Sequence, residues 1–184
     1  TLSGWKISPP NGHTADRDQV GLHIGGGFGG LYCTGGTDII GNGTNVLIDR
    51  TINSALPNRE AAFDGMCPID SSVFGPGLAL METGGGNYLS FAGGWIASSH
   101  TDGIYIAKGA TGWLSFTGGT IYNNGRDGVH DESGGVLQAY TGTIFRHNGR
   151  AGSGAGITSR KDAVPTHAGS RFDDNSSGDI AIMP

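Results

Sequence analysis

Tyr105, His130, Asp131 and Arg160 are side chains whose types, taken together, could move a proton. They lie in short apolar alternations: Ile104-Tyr105-Ile106, Val129-His130-Asp131, and Ile157-Thr158-Ser159-Arg160. If Ile104, Val129 and Ile157 point inward, period-two alternation turns Tyr105, His130 and Thr158 outward on one wall. A Tyr or His there would act as base, and Arg160 or Lys161 would neutralise a neighbouring carboxylate. That is the equipment for abstracting the C5 proton of a uronic acid. Asp131 adds a carboxylate at the register the previous repeat gives to Ile106. The plainer reading is the stronger one here. An outward Tyr or His is ordinary on a pleated surface, and Asp131 fits a strand that ended one residue earlier.

Binding has its own candidates. Trp95 and Trp113 are candidates for binding; Trp95, aligned with Thr120 and Thr143, is expected to face solvent, where an indole offers a sugar ring a flat apolar partner, and a corner packed at a subunit contact is the alternative. Asp102 and Asp127 each precede a glycine and fall in one column. They could hold Ca²⁺, although two carboxylates are few for an ion that takes six to eight oxygens. Such aspartates otherwise cap backbone N–H groups in turns. The glycine run from Gly25 to Gly30 lacks the Lys-Ser/Thr ending of a phosphate loop and reads as a corner. Cys and His show no zinc spacing. Cys33 and Cys67 do not make a disulfide framework, and two buried free thiols are the preferred reading over a pair.

What positions these residues is an internal repeat. The segment LSFAGGWIASSHTDGIYI from Leu89 aligns with LSFTGGTIYNNGRDGVHD from Leu114 and LQAYTGTIFRHNGR from Leu137. The equivalences are Leu89, Leu114 and Leu137; Phe91, Phe116 and Ala139; Gly94, Gly119 and Gly142; Ile96, Ile121 and Ile144, in steps of 25 and then 23. An earlier copy starts at Leu31, and a degenerate one runs from Gly169 to Ile182. Each copy holds an alternating run, a glycine pair, a second short run, a polar turn and a third run. Three short strands per repeat of this length form one coil of a parallel β-helix, in which equivalent side chains stack along the axis. Asn123, Asn124, Asn148 and Asn175 fall in the polar turns, where asparagine tolerates left-handed backbone. Residues 1–17 are expected to cap one end. Residues 49–86 are expected to form irregular coils, with a short helical turn in the insert from Asn53 to Phe63.

Composition agrees with an ordered, turn-rich all-β chain. Glycine supplies 36 of 184 residues without a collagen period, and the net charge is only −5, too low for the usual disordered composition. No basic stripe supports nucleic-acid binding, and no apolar run approaches a membrane span. The start at Thr1, without Met or leader, reads as a processed chain or an excised segment.

The coils from Leu89 to Arg150, with the copy at Leu31, resemble the pectate-lyase-like right-handed parallel β-helix superfamily. The resemblance implies one right-handed parallel β-helix across residues 1–184, in six to seven coils. Members of that superfamily act mainly on polysaccharides, or form the trimeric spikes and fibres of bacterial viruses. His100-Thr101-Asp102-Gly103-Ile104 is similar to the Asn-Thr-Asp-Gly-Ile stretch of polygalacturonase-type glycosidases. The second aspartate of their next motif is replaced here by Gly128, no Gly-His-Gly follows, and Ser159-Arg160-Lys161 only faintly matches their last motif. The expectation is therefore a virion or extracellular spike segment that binds bacterial surface polysaccharide as a homotrimer. A polysaccharide lyase, epimerase or glycosidase working through the Tyr105–His130 wall is the alternative, and a purely structural trimeric shaft is the third reading.

Overall fold

Runs of three to six residues, each closed by glycine or a polar turn, are too short for amphipathic helices and suit narrow parallel strands. A computed structural model, describing residues 1–9, 15–25, 31–49, 60–81, 87–160 and 164–183, shows how they stack. Twenty strands form three all-parallel sheets, and the described residues contain no helix. The first wall has six strands: Leu2–Ser3, Leu31–Thr34, Glu60–Asp64, Asn87–Ala92, Gly112–Thr117 and Val136–Thr141. The second has seven, from Lys6–Ile7 through Trp95–Ala97, Thr120–Tyr122 and Ile144–Arg146 to Arg171–Asp173. The third also has seven, from Val20–Ile24 through Ile104–Ile106, Val129–Asp131 and Ile157–Arg160 to Ile180–Met183. The chain is a parallel β-helix of six to seven coils.

The interior is built from columns. On the first wall Cys33, Phe63, Phe91, Phe116 and Tyr140 succeed one another in register. Phe63 stacks on Phe91 at 4.8 Å between ring centroids, and Phe91 on Phe116 at 4.9 Å, matching the inter-strand spacing. The second wall contributes Ile39, Ile69, Ile96, Ile121 and Phe145; the third contributes Val46, Leu78, Ile104, Val129 and Ile157. All of these are buried. Cys33 and Cys67 are buried free thiols, and burial pushes both above the usual thiol range.

The pairing of Leu89 with Leu114 and of Ile96 with Ile121 is as the repeat requires. The next coil is shifted by one residue from the sequence alignment. Leu114 pairs with Gln138, Phe116 with Tyr140 and Ile121 with Phe145. A slip of one residue exchanges the faces of a strand. Leu137 therefore points out, 74% exposed, while Gln138 and Tyr140 are buried in its place. The strand is set by Val136, which opens it inward, and the following corner keeps its length, Gly142-Thr143-Ile144 standing where the previous coil has Gly118-Gly119-Thr120.

Polar turns carry two separate devices. Ser71, Ser98, Asn123, His147 and Asp174 hold the left-handed backbone, with φ between 52° and 57°. The residue after each lies inward, and in the later coils it is an asparagine. Asn124 Nδ2 donates to Asn148 Oδ1 and Asn148 Nδ2 to Asn175 Oδ1, both at 2.9 Å, so a buried amide ladder ties adjacent coils. Of the four turn asparagines, only Asn123 serves the left-handed role expected of all. Asp64-Gly65 also differs from the Asp-Gly pairs at 102 and 127. It closes a first-wall strand, whereas those open the third wall. Residues 60–63 are strand rather than helical turn, because Ala61 and Phe63 continue the inward column between Leu31 or Cys33 and Leu89 or Phe91. The rest of that insert through 59, and Gly26 to Gly30, lie outside the described residues.

Candidate functional site

On the third wall, Tyr105 and His130 are register partners on adjacent coils, and their rings stack at 6.0 Å with an interplanar angle of 22°. Both side chains lie on the outer face, because Ile104 and Val129 occupy the inward column beside them. His130 is nevertheless nine-tenths covered, 8% exposed. Its Nδ1 lies 2.7 Å from Asp127 Oδ2 and its Nε2 3.4 Å from Glu132 Oε1. Tyr105 Oη donates to Glu132 Oε2 at 3.1 Å. The result is a chain of polar groups, Asp127–His130–Glu132–Tyr105, in which only Glu132 and the edge of Tyr105 reach solvent.

Asp102 and Asp127, just before the third wall, hold this chain to the coils. Asp102 Oδ1 accepts from Asp127 N at 3.1 Å, and Asp127 Oδ1 accepts from Ala155 N at 2.7 Å. Gly103 and Gly128 then let the coils close up: a Cβ at Gly128 would stand 2.5 Å from the Gly156 carbonyl oxygen. Burial raises the Asp102 carboxyl, against the nearby Arg126 guanidinium, 3.9 Å away. Burial alone would raise Asp127 too, but hydrogen bonds from His130, Ala155 N and Thr158 outweigh it and hold that carboxyl below its ordinary range. The hydrogen bond to Asp127 raises His130 despite its burial. Burial, then the bond and charge of Glu132, raise the Tyr105 phenol.

One ligand atom from each of Asp102, Asp127 and His130 falls within 4.8 Å of the others. The set fits Ca²⁺ poorly. Calcium takes six to eight oxygens, whereas three of these four carboxylate oxygens already accept from Asp127 N, Ala155 N or His130, and the third donor is a nitrogen. The geometry is that of turn caps and an ion pair.

Asp131 requires a correction. It does not belong to the outer wall, because the strand continues through it and alternation turns it inward at the place of Ile106. It is fully buried, accepting from Ser133 N, Ser133 Oγ and Gln138 Nε2 at 2.8, 2.6 and 2.6 Å. Tyr140 Oη donates to Gln138 Oε1 at 2.8 Å, extending this polar cluster into the core. Burial, with the Asp131 charge, pushes the Tyr140 phenol well up.

Arg160 lies in the coil after His130, with its stem against Gly134 in the corner that leads to the first wall. Around that corner is a groove of about 350 Å³ whose lining includes Trp113, Gly134, Leu137, Gln138, Val164 and Thr166. Trp113 and Leu137 are register neighbours on the outer face, 37% and 74% exposed, and Val164 is 47% exposed. Trp95 is also solvent-facing, but it opens a second-wall strand and pairs with Thr120. Trp113 lies near the start of a six-residue first-wall strand and Trp95 on the next wall, so four strand residues, about 13 Å, and a corner lie between the two indole positions. Lys161 lies outside the described residues.

Glu132, Gln138 and Val164 were not among the residues singled out by sequence, and Leu137 was singled out only as a repeat position of the core. Glu132 was findable as the residue after Asp131, one coil on from Tyr105; Leu137 was hidden by the register slip. No family model, curated protein or solved structure matches the chain.

Proposed function

We propose that this β-helix is a polysaccharide-binding segment, of the kind found in virion spikes and fibres, which holds bacterial surface glycan without cleaving it. The observation that carries the reading is the groove at Trp113. An exposed indole and an exposed Leu lie side by side on a rigid parallel sheet, beside a concavity at the small end of the about 300–1,000 Å³ range of ligand clefts. Exposed aromatic and aliphatic groups on a preformed wall favour the apolar face of a sugar ring, at little entropic cost to the protein. Retention of the chain on immobilised bacterial capsule or O-chain polysaccharide tests it. Trp113→Ala should elute early, and equal retention would count against the groove. We also propose the homotrimeric assembly of such spikes, since open parallel edges and exposed Trp5, Tyr32 and Met66 favour association. Light scattering at micromolar concentration checks it, and a monomer would oppose it.

An enzyme acting on polysaccharide is the second reading, favoured by the Asp127–His130–Glu132–Tyr105 chain. His130 is covered and engaged at both ring nitrogens, so Glu132 is the group positioned to exchange a proton with an outside molecule. Release of unsaturated or reducing-end products, abolished by Glu132→Gln, would favour this reading over the first.

A further inference from the structure

Two interior residues carry a chemistry that the outer walls do not use. Cys33 lies in the inward column of the first wall, where the next coils place Phe63, Phe91 and Phe116. Cys67 lies at the corner leading to the second wall. Counting back from the paired Ile39, Ile69, Ile96 and Ile121, the coil before has Thr37 at this corner and the coils after have Gly94 and Gly119. One coil thus carries a thiol in place of a ring, and the next carries a second thiol where later coils have no side chain. The two exchanges meet. Both residues are buried, their thiols are hydrogen-bonded to each other, and Thr37 bonds to both. The frame around them is fixed. Thr37 Oγ1 donates to the Thr34 carbonyl at 3.2 Å, and Cys67 N donates to the Asp64 carbonyl at 3.0 Å. Successive coils lie about 4.8 Å apart, within the Cα separation of about 4.4–6.8 Å that a disulfide spans.

We propose that Cys33 and Cys67 are a redox-sensitive pair, which closes to a disulfide when the chain meets a small-molecule disulfide and then clamps two adjacent coils across the insert from Asn53 to Phe63. The thiolate of one cysteine attacks a sulfur of the reagent, whose S–S bond breaks and releases one reagent thiol. The other cysteine then attacks the mixed disulfide and releases the second reagent thiol. The two cysteines lose two electrons and two protons in all, and the two reagent sulfurs take them up. Burial holds both thiols above their usual range, so the exchange is slow in the folded chain and proceeds through local opening, or before these coils close during folding. The bond closes the loop from Cys33 to Cys67 and restricts the unfolded chain, which stabilises the folded one.

The full chain is incubated with oxidised glutathione, once folded and once while refolding from urea, then denatured, alkylated and read by intact mass and peptide mapping. The expected result, in at least one of the two treatments, is loss of the mass of two hydrogens, no alkylation, and a cross-linked peptide pair holding Cys33 and Cys67. The oxidised chain should melt higher than the reduced one by roughly 6–15 °C, and a reducing dithiol should reverse the gain. Cys33→Ala and Cys67→Ala each leave one thiol, and neither should show a gain in melting temperature with the reagent. Two alkylated cysteines after both treatments, glutathione adducts in place of the cross-link, bonds between chains, or a cross-link that fails to raise the melting temperature would overturn the proposal and leave the pair as packing alone.

Discussion

Truncating Phe116 to alanine should destabilise the helix by about 3–5 kcal/mol, the range for an aromatic removed from a packed core. The size follows from the position. Phe116 is fully buried in a central coil, with Phe91 stacked at 4.9 Å on one side and Tyr140 next in register on the other. Lost transfer free energy of the ring contributes about 1.5–3 kcal/mol. The lost stacking adds about 0.5–1.5 kcal/mol, and the cavity supplies the rest, because neighbours held by parallel ladders cannot collapse into it. For a chain of this length, that translates into a melting temperature lower by roughly 6–20 °C. Leu137→Ala is the matched control: the sequence alignment gave it a core position, but its side chain faces solvent, and the change should stay within about 0.5 kcal/mol. Urea denaturation followed by circular dichroism measures both. A small effect at Phe116, or a large one at Leu137, would refute the register on which every assignment of wall and interior depends.

Gly119→Ala should be far more damaging than Gly118→Ala. Both have positive φ, but only at Gly119 would the new Cβ stand 2.6 Å from a carbonyl oxygen, that of Gly94; thermal melts of the two variants decide this. Asn148→Ala should cost about 1–3 kcal/mol, since it strands the Ile121 carbonyl and the Asn124 amide in the interior, and loss of amide-exchange protection should centre on those two coils. His130 should titrate above its ordinary value, and Asp127→Asn should bring it down, as read from the imidazole proton shifts. Because the folded His130 pKa is raised, its contribution to stability is complete below about pH 6.5 and is lost as pH rises through the folded value. Asp127, lowered on folding, contributes above about pH 3.9, and that contribution disappears as pH falls through its folded value. Stability against urea, measured across pH, should therefore lose this pair's contribution on both sides of that window.

Much of this architecture was legible from the chain because the solenoid repeats its grammar where the interior demands it. Leu89 over Leu114, Ile96 over Ile121 and Tyr105 over His130 follow from alternation alone, since each strand is pinned by apolar residues on one face. Legibility failed where a polar residue took an interior place. Gln138, Tyr140 and Asp131 satisfy one another inside the coil, so a search for leucine and phenylalanine columns stepped to Leu137 instead and reversed the strand. The same exchange hid the groove, whose walls depend on Leu137 facing out beside Trp113. The asparagine ladder was seen as a set of turn residues because composition marks a turn without saying which of its residues points in. His130 was placed on the correct face, but its burial comes from Asp127, Glu132 and the stacked Tyr105, which no periodicity specifies.

The claim that this wall binds glycan without chemistry is tested most directly by equilibrium binding of purified bacterial surface polysaccharide to three proteins: the natural chain, Trp113→Ala and Glu132→Gln. Product release is followed in the same samples by reducing-end assay and ultraviolet absorbance. The account predicts binding by the natural chain and Glu132→Gln alike, at least about tenfold weaker binding by Trp113→Ala, and no products from any of them. Polysaccharide cleavage that vanishes in Glu132→Gln, or affinity unchanged by removal of the Trp113 indole, would contradict it.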